Sequence, residues 1–415
     1  MEVLYACGGG LDGPKKTVVA CLLRAGAGGQ HSREMRSFAT MTDDLLALAD
    51  WLRAAGCTQV AMERTGVYWK PVYNILEGQL DVMVVNAAPI KAVPGRKTDR
   101  HDAEWIADLL QHGLARPSFI PDRPPRELRD LTRTRTTRSD ERAAAVNRLQ
   151  KVLEDANRKV ARVATDIMGG SGRAMVTAMR QGTTDPATLA ELAKGRLRTK
   201  RTELERALAG RVSAHHRLLL TTHLAHIDFL DEEIARLSAA IAERLLPVAD
   251  AIQRLDTMPG VDRQTAEVLL AELGTELARF PTPAHLASGA GMCPGNHESA
   301  GKRRGGRTRT GSKWLRRALI EAAGGAVRTK QAGRTGLANH DRRLGARRGR
   351  QQALVAVGHR LLLIVSHVRR SGQRDQEPTP TDRDQRRRRR ARDRAIDQRR
   401  QLGDDVTITP VPAVA

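Results

Sequence analysis

Apolar and polar positions in the first 125 residues predict short strands and helices in a definite order. The apolar runs at 3–7, 17–23 and 34–39 are short, close together and separated by glycine-rich or polar turns, which is typical of β-strands. After Thr42 and Asp43, apolar residues from Leu45 to Leu52 fall on one broad face, which predicts a capped amphipathic helix that ends near Ala55. The pattern then predicts a strand at 59–62, a helix at 67–76, a strand at 81–85 and a helix at 102–111.

This order of elements indicates a fold class. Three strands, then helix, strand, helix, strand and helix, is the order of a ribonuclease-H-like α/β domain. A doubly wound parallel sheet would alternate strands and helices from its beginning. We therefore expect a ribonuclease-H-like domain over residues 1–125.

Beyond residue 125 the apolar spacing becomes helical, and residues 126–250 are expected to form a helical linker region. One seam in this region has the 3, 4, 3, 4 spacing of a heptad repeat and is bordered by charged residues. Its members are Ile227, Leu230, Ile234, Leu237 and Ile241. The seam fits a self-associating coiled coil and an ordinary helix packed within one chain equally well.

Two further segments are expected in the rest of the chain. Residues 251–370 are predicted to form a mainly helical domain around a glycine- and arginine-rich loop. Beyond this domain the apolar periodicity is lost and arginines dominate. Residues 371–415 are therefore expected to be a flexible tail whose charge favours phosphate without selecting a sequence.

The net charge of the chain indicates which class of molecule it binds. Lys and Arg number 70 and Asp and Glu number 47, which gives a net charge of +23 and a pI near 10.9. Aromatic residues make up only 3%, which argues against an RNA reader built on base stacking. Most of the excess charge is arginine, which suits phosphate better than a membrane surface. Nucleic acid is the expected partner.

The remaining composition predicts a cytoplasmic, nucleoid-associated protein with no membrane segment. The longest apolar runs are far shorter than the roughly 20 residues that span a bilayer. No basic and apolar secretory leader is visible at the N-terminus. The four cysteines are scattered singly, which fits a reducing compartment and argues against a zinc site or a disulfide framework.

Four acidic residues occur where a ribonuclease-H-like sheet would bring them together. Asp12 follows the first predicted strand and Glu63 ends the fourth, and these two strands are neighbours in that fold. Asp99 and Asp102 are three residues apart at a helix start, so they share one helical face. Taken singly, a turn or a favourable place at a helix N-terminus explains such an acid as well. The joint arrangement favours a common site.

A cluster of four carboxylates has a specific chemical use. The carboxylates repel one another unless a cation neutralises them, and hard divalent cations prefer oxygen ligands. Two such ions, roughly 4 Å apart, activate a nucleophile and stabilise a leaving oxygen in phosphodiester cleavage. The cluster therefore predicts a metal site for phosphodiester chemistry.

A second candidate group lies in the C-terminal domain. Ser299 occurs in a glycine-rich loop and is followed by a run of basic residues, namely Lys302, Arg303, Arg304, Arg307 and Arg309. A serine hydroxyl attacks phosphorus only when it loses its proton and the phosphate charge is neutralised, which arginines can do. The spacing alone also fits a Ser299 that lies on a phosphate-binding loop and has no role as a nucleophile.

Two other motifs are weaker. Residues 258–262, before a predicted helix at 265–273, resemble the hairpin of a helix-hairpin-helix element, in which Gly260 would present backbone N–H groups to a phosphate. Asp262 stands where that hairpin usually has a second glycine. Four histidines have metal-like spacing without cysteine or carboxylate company, and we interpret them as polar helix positions: His215, His216, His223 and His226.

These segments together resemble the insertion-sequence one-ten family of transposases, the DEDD-type recombinases with a C-terminal serine domain. The resemblance extends from Gly10 to about Val368. It includes MERTGVYW at 62–69, VPGRKTD at 93–99 and CPGN at 293–296. Strings of this length in the right order are not expected by chance.

The resemblance implies more than the spacing does. It maps the four acids of the family onto Asp12, Glu63, Asp99 and Asp102, in a Holliday-junction-resolvase-like domain that binds Mg²⁺ (or Mn²⁺), and its catalytic serine onto Ser299. It implies strand cutting through a phosphoserine link and exchange through a junction intermediate. It implies dimers that pair into tetramers through the coiled coil. It also implies a structured guide RNA that pairs with the DNA of the element ends and of the target.

The sequence departs from the family pattern in a few places. Gly13 and Pro14 follow Asp12, and a proline there restricts the turn. Gly289 and Gly324 stand where related sequences often carry tryptophan. Two other functions fit the same residues: a metal nuclease selective for DNA junctions without serine chemistry, and a catalytically inactive nucleic-acid-binding relative.

Overall fold

The computed structural model describes the backbone over most of the chain. The described residues are 3–13, 15–26, 31–64, 66–85, 99–274, 277, 280–295, 297–305, 308, 310–328, 336–375 and 380–401. The chain divides into two compact units, Met1–Pro121 and Asp122–Ala415.

The first unit is built on a mixed five-stranded sheet. Its strands are β1 (Cys7–Asp12), β2 (Thr17–Ala25), β3 (His31–Ala39), β4 (Gln59–Glu63) and β5 (Asp81–Val85), in the spatial order β3-β2-β1-β4-β5. β1, β2 and β3 pair antiparallel, whereas β4 runs parallel to both β1 and β5. This topology is consistent with the ribonuclease-H-like order predicted from the sequence.

Helices cover both faces of this sheet. α1 (Thr42–Ala54) and α2 (Trp69–Leu76) pack with Leu11, Val60 and Met62 in a core on one face. α3 (Asp99–Gln111) packs its Ala103, Ile106, Ala107 and Leu110 on the other face. Because side chains alternate along a strand, neighbouring residues of β1 and β4 face different helices.

The first strand differs from its predicted position. It begins at Cys7 and includes the three glycines that follow, which the sequence pattern predicts as a turn after a strand at 3–7. A Cβ atom at Gly10 would lie 2.1 Å from the Ala103 carbonyl oxygen and 2.4 Å from the Ala107 nitrogen. The glycine run is therefore a central strand on which the backbone of α3 lies directly. α3 also begins earlier than predicted, at Asp99 instead of Asp102.

Two long antiparallel helices organise the second unit, α4 (Arg123–Asp155) and α8 (Ala214–Arg244). Contacts of Arg142 with Asp231 and of Arg135 with Ser238 show that the two helices run in opposite directions. A small helical subdomain, residues 156–212, lies in the chain between them. It contains α5 (Gly170–Arg180), α6 (Pro186–Glu191), α7 (Arg201–Ala207) and 3₁₀ turns at Val160–Arg162 and Gly195–Lys200.

The heptad seam on α8 is used inside this chain. Ile227 and Leu230 are fully buried in the core of the 156–212 subdomain, and Ile241 is fully buried in the core of the C-terminal domain. Ile234 and Leu237, between these cores, are half-buried. The packing accounts for the apolar spacing without a second chain, so association through this seam stays a prediction.

The C-terminal part of the second unit is mainly helical, as expected. It consists of α9 (Ala249–Asp256), α10 (Arg263–Leu273), α11 (Pro283–Gly289), the hairpin strands β6 (His297–Ser299) and β7 (Lys302–Gly305), α12 (Lys313–Arg328), α13 (Gly336–Arg348) and α14 (Arg350–Ser371). Gly289 is exposed at the end of α11, and Gly324 is half-buried within α12.

The segment expected to be a flexible tail contains a helix. α15 spans Pro380–Gln401 and consists largely of arginine with interspersed aspartate. Arginine has a high helix propensity, and aspartates within a turn of arginines offset part of the repulsion. Among the described residues of the whole chain, no helix carries an apolar stretch long enough to cross a membrane.

Candidate active site

Asp12 and Glu63 are brought side by side by the pairing of β1 with β4. The parallel register joins Gly10 to Ala61 and Leu11 to Met62, so the next step places Asp12 beside Glu63 at the carboxyl edge of the sheet. Leu11 and Met62 belong to the core on the α1 face. By alternation both acids therefore lie on the opposite face, which α3 covers.

The direction of α3 brings its first turn to the same edge. A Cβ at Gly8 would contact Leu110, near the end of α3, whereas a Cβ at Gly10 would contact Ala103 and Ala107. The helix therefore runs antiparallel to β1, and its N-terminal turn lies toward Asp12. This turn carries Asp99 and Asp102.

The four acids differ in their surroundings. Asp12 is buried, with 8% of its surface exposed, while Glu63 and Asp102 are half-buried. Asp99 begins α3, and its side chain lies outside the described atoms. Asp99 precedes Ala103 by four residues and Asp102 precedes Ile106 by four, so both positions continue the stripe of α3 that packs on the sheet.

This donor set fits a hard divalent cation. Carboxylate oxygens from two neighbouring strand ends and one helix N-terminus are the ligands that Mg²⁺ and Mn²⁺ prefer. Among the described side chains, which exclude that of Asp99, no three His, Cys, Asp or Glu already stand together as a metal-binding group. The backbone thus brings the elements to one edge, and a bound cation would have to draw the carboxylates together.

Ser299 lies at the tip of the β6–β7 hairpin. Its backbone pairs with that of Lys302, so that Ala300 and Gly301 form a two-residue turn. Their φ angles, +51° and +71°, are those of a type I′ turn, which matches the twist of paired strands. The hairpin therefore presents position 299 immediately before a sharp reversal of the chain.

Basic residues follow the serine along the second strand of the hairpin. Lys302 is exposed. Arg303 and Arg304 continue β7, and their side chains lie outside the described atoms. Arg307 and Arg309 lie outside the described residues altogether.

The buried carboxylate of Glu272, which the sequence pattern did not indicate, links α4 to the end of the segment that joins the β6–β7 hairpin to α12. Glu272 accepts hydrogen bonds from Arg133 Nε at 2.7 Å and Arg133 Nη2 at 2.9 Å, and from Ser312 Oγ at 2.8 Å. Ser312 Oγ also accepts the Leu315 N–H at 3.3 Å, which caps α12. Glu272 thus fixes the point where the loop enters α12. An acid in an apolar helical stretch was the only sequence signal for it.

Gly260 is needed for packing within the chain. It has φ +78°, and a Cβ there would lie 2.2 Å from the Ala322 carbonyl oxygen of α12. Asp262, at the position of the usual second glycine, accepts the Thr265 N–H at 2.8 Å and caps α10. Close approach to α12 therefore accounts for the glycine, and phosphate binding at this turn stays a prediction.

Comparisons with known protein families match both the segment that carries the four acids and the segment that carries Ser299. A family model described as "Transposase", for the DEDD type of IS110 elements, matches residues 9–158. A second, described as "Transposase IS116/IS110/IS902 family", matches residues 252–338. Together the two matched segments make up more than half of the chain.

One curated relative is also similar to this chain. It is the "Insertion element IS110 uncharacterized 43.6 kDa protein" of Streptomyces coelicolor, 34% identical over 119 residues. The matched stretch spans 28% of this chain and 28% of the relative.

Proposed function

The chain belongs to the IS116/IS110/IS902 family of transposases, and from that premise we propose that it is a DNA recombinase that cuts and rejoins strands of its own insertion element. The observation that carries the proposal is the meeting of Asp12, Glu63 and the acidic first turn of α3 at one edge of the sheet. A hairpin that presents a serine beside basic residues supplies the second chemical group.

The proposed reaction is a transfer of one phosphodiester to serine and back to DNA. Ser299 Oγ attacks the phosphorus atom, an O–P bond to serine forms, and the bond from phosphorus to one sugar oxygen breaks. The serine proton leaves to a nearby base, and the departing sugar oxygen takes up a proton to become a hydroxyl. A sugar hydroxyl of another strand then attacks the phosphoserine, which releases the serine and seals the new junction.

The chain's own groups would share the work of this reaction. Asp12, Glu63, Asp99 and Asp102 would hold Mg²⁺ or Mn²⁺, which supplies Lewis-acid stabilisation of charge on phosphate oxygens when bound. Lys302 and the arginines after it would hold the phosphate and reduce its repulsion of the nucleophile. The tight turn after Ser299 keeps position 299 at the tip of the hairpin.

We further propose the partners that this reaction needs. These are the DNA of the element ends and of the target, and a structured guide RNA that selects them by base pairing. A homodimer or homotetramer would provide more than one set of acids and serines. The high positive charge and the small share of aromatic residues support binding through the phosphate backbone over reading of bases by stacking.

A covalent adduct tests the serine. Purified protein is incubated with Mg²⁺, DNA of both ends and RNA transcribed from the non-coding DNA beside the reading frame, and is then run on a denaturing gel. We expect a protein–DNA adduct that disappears in Ser299→Ala and persists in Ser288→Ala, a matched control on α11. An adduct that survives in Ser299→Ala would contradict the assignment.

The same assay tests the carboxylates. Asp12→Asn and Glu63→Gln are expected to reduce adduct formation by at least about 100-fold, or about 2.7 kcal/mol. Asp81→Asn at the start of β5, on the opposite edge of the sheet, should have no effect. Cleavage of a four-way junction that needs Asp12 but not Ser299 would favour the junction nuclease instead. Binding without cleavage under any metal condition would favour the inactive relative.

A further inference from the structure

The 156–212 subdomain lies largely between the two segments that the family models match, 9–158 and 252–338. It has a core of its own, in which Val160, Met175, Leu189 and Leu204 pack against the end of α4 and the beginning of α8. This core is separate from that of the C-terminal domain, which contacts α4 near Leu128. At 1.5 Å per residue, about 30 Å of α4 separate Leu128 from Leu149 in the subdomain core.

The subdomain is more basic than the chain as a whole. Residues 156–212 contain twelve Lys or Arg and five Asp or Glu, a net charge of +7, and no aromatic residue or histidine. The charge is densest in the segment from 194 to 201, here called the basic loop. Five of its eight residues are cations: Lys194, Arg196, Arg198, Lys200 and Arg201.

The cations of the basic loop face solvent with little neutralisation. All five are exposed. Among the described residues, Arg201 of the loop forms an ion pair with Glu191 at 3.9 Å. This contact is long and exposed, so it contributes little to stability. Elsewhere in the subdomain, by contrast, Lys159 is paired with Glu154 and Arg173 with Asp228.

The backbone of the basic loop is held in one conformation. Lys194 N donates to Ser171 Oγ of α5 at 2.8 Å, and Leu197 packs against the subdomain core. Gly195, with φ +57°, begins a 3₁₀ turn in which Thr199 Oγ1 donates to the Arg196 carbonyl at 2.9 Å. The cations therefore project from a fixed turn, which lowers the entropic cost of binding a partner.

We propose that the basic loop binds the phosphate backbone of double-stranded DNA, through residues other than the acids and the serine. Dense, unneutralised cations favour phosphates, and a surface without aromatic residues offers no stacking platform for single-stranded bases. The choice of DNA over duplex RNA rests on the proposed function. Bound there, the DNA would be anchored at the far end of the α4–α8 pair from the serine hairpin.

Salt-dependent binding of the full-length protein tests this proposal. The triple variant Arg196→Gln, Arg198→Gln, Lys200→Gln is compared with Arg53→Gln, Arg123→Gln, Arg236→Gln. The control removes the same charge from exposed arginines that already sit beside carboxylates. Binding of a labelled duplex of about 30 base pairs is measured by fluorescence anisotropy at several salt concentrations in EDTA, so that no catalysis occurs.

We expect the basic-loop variant to bind duplex DNA at least about tenfold more weakly at low salt. The slope of log K against log salt should fall by about one for each phosphate that the loop no longer neutralises, up to about three in total. The control should retain the slope of the unmodified protein. Both variants should keep the same circular dichroism and melting temperature, because every substituted residue is exposed.

Two results would overturn the proposal. One is an equal effect of the loop and control variants, which would mean that only net charge matters. The other is a loss of binding to duplex RNA or single-stranded DNA that exceeds the loss for duplex DNA. Neither result depends on Ser299 or the acids, so failure of the recombination assay and failure of this inference can be told apart.

Discussion

At the scale of single residues, Ala300 has the least favourable backbone conformation at the candidate active site. Among the described residues, the non-glycine residues with positive φ are Asn157 and Ala300. For alanine this left-handed conformation costs roughly 1–2 kcal/mol. The hairpin therefore holds Ala300, directly after Ser299, in a backbone conformation that alanine by itself disfavours.

Substitutions at this turn should change stability in opposite directions. Ala300→Asn is expected to raise the free energy of unfolding by about 0.5–1 kcal/mol, because asparagine tolerates positive φ and favours type I′ turns. Gly301→Ala, with φ +71° at the substituted position, should lower it by about 1 kcal/mol. Urea denaturation measures both values. Equal effects of the two variants would contradict the assigned turn.

At the scale of elements, the packing of α3 on β1 sets where the acidic first turn of α3 lies relative to Asp12. Gly10 allows the helix backbone to lie on the strand, and this contact sets how far the first turn of α3 stands from Asp12. The larger side chains of α3, Ile106 and Leu110, fill the space over β4 and the start of β1. The proposed metal site therefore depends on this one glycine.

Gly10→Ala should disrupt the first unit. A methyl group would collide with backbone atoms of Ala103 and Ala107, which cannot move like a flexible side chain, so we expect a loss of at least about 3 kcal/mol. Gly8→Ala on the same face is the control, because its Cβ would contact only the Leu110 side chain at 3.4 Å. It should change stability by less than about 1 kcal/mol.

Thiol labelling gives a readout specific to this unit. Burial raises the pKa of Cys21 to about 11 and that of Cys57 to about 12, so both thiols stay protonated and shielded at about pH 8 in the folded protein. Iodoacetamide should therefore label them rapidly in Gly10→Ala and slowly in Gly8→Ala. Slow labelling in both variants would mean that α3 does not lie as closely on β1 as described.

At the scale of the whole molecule, buried and exposed ion pairs join the long helix α4 to the C-terminal domain. Arg135 Nη1 lies 2.6 Å from Glu267 Oε2, and both residues are 3% exposed. Arg317 binds Asp140 at the surface with Nη2–Oδ1 at 2.6 Å. Both pairs connect α4 with helices of the C-terminal domain, α10 and α12, and the same domain contains the β6–β7 hairpin.

The two pairs should differ in their contribution to stability. Glu267→Gln leaves the buried Arg135 without its carboxylate, and we expect a loss of about 3 kcal/mol. Asp140→Asn should cost less than about 1 kcal/mol, because the pair is largely exposed. Denaturation at neutral pH measures both. Equal losses would contradict the burial of the Arg135–Glu267 pair.

The surface pair also predicts a dependence on pH. The hydrogen bond from Arg317 lowers the pKa of Asp140 below its ordinary 3.8. The contribution of Asp140 is therefore fully present above pH 3.8 and is lost as the pH falls through its lowered pKa. The difference in stability between the unmodified protein and Asp140→Asn should narrow below about pH 3.8. A difference that stays constant down to about pH 2 would contradict this assignment.

The sequence by itself determined the order of elements in the first unit, the mainly helical second part and the family. Apolar residues at a period of two or of 3.6 indicate which face of a strand or a helix is buried. The strand that contains Val60 and the helices that contain Leu48 and Ile106 could therefore be predicted from residues a few positions away. The position of Glu63 at the end of β4 followed as well, because that strand was recognised from its local pattern.

Only the tertiary structure decided the features that depend on distant neighbours. Gly8 to Gly10 have no side chains to show a pattern, so the sequence could not tell a turn from a strand on which a helix lies. The heptad seam reads the same whether α4 or another chain covers it. Glu272 accepts a hydrogen bond from Ser312, 40 positions away, and Lys194 of the basic loop donates one to Ser171, 23 positions away. Neither contact can be predicted from the local sequence. Local periodicity records that a residue is covered, whereas only the folded chain shows what covers it.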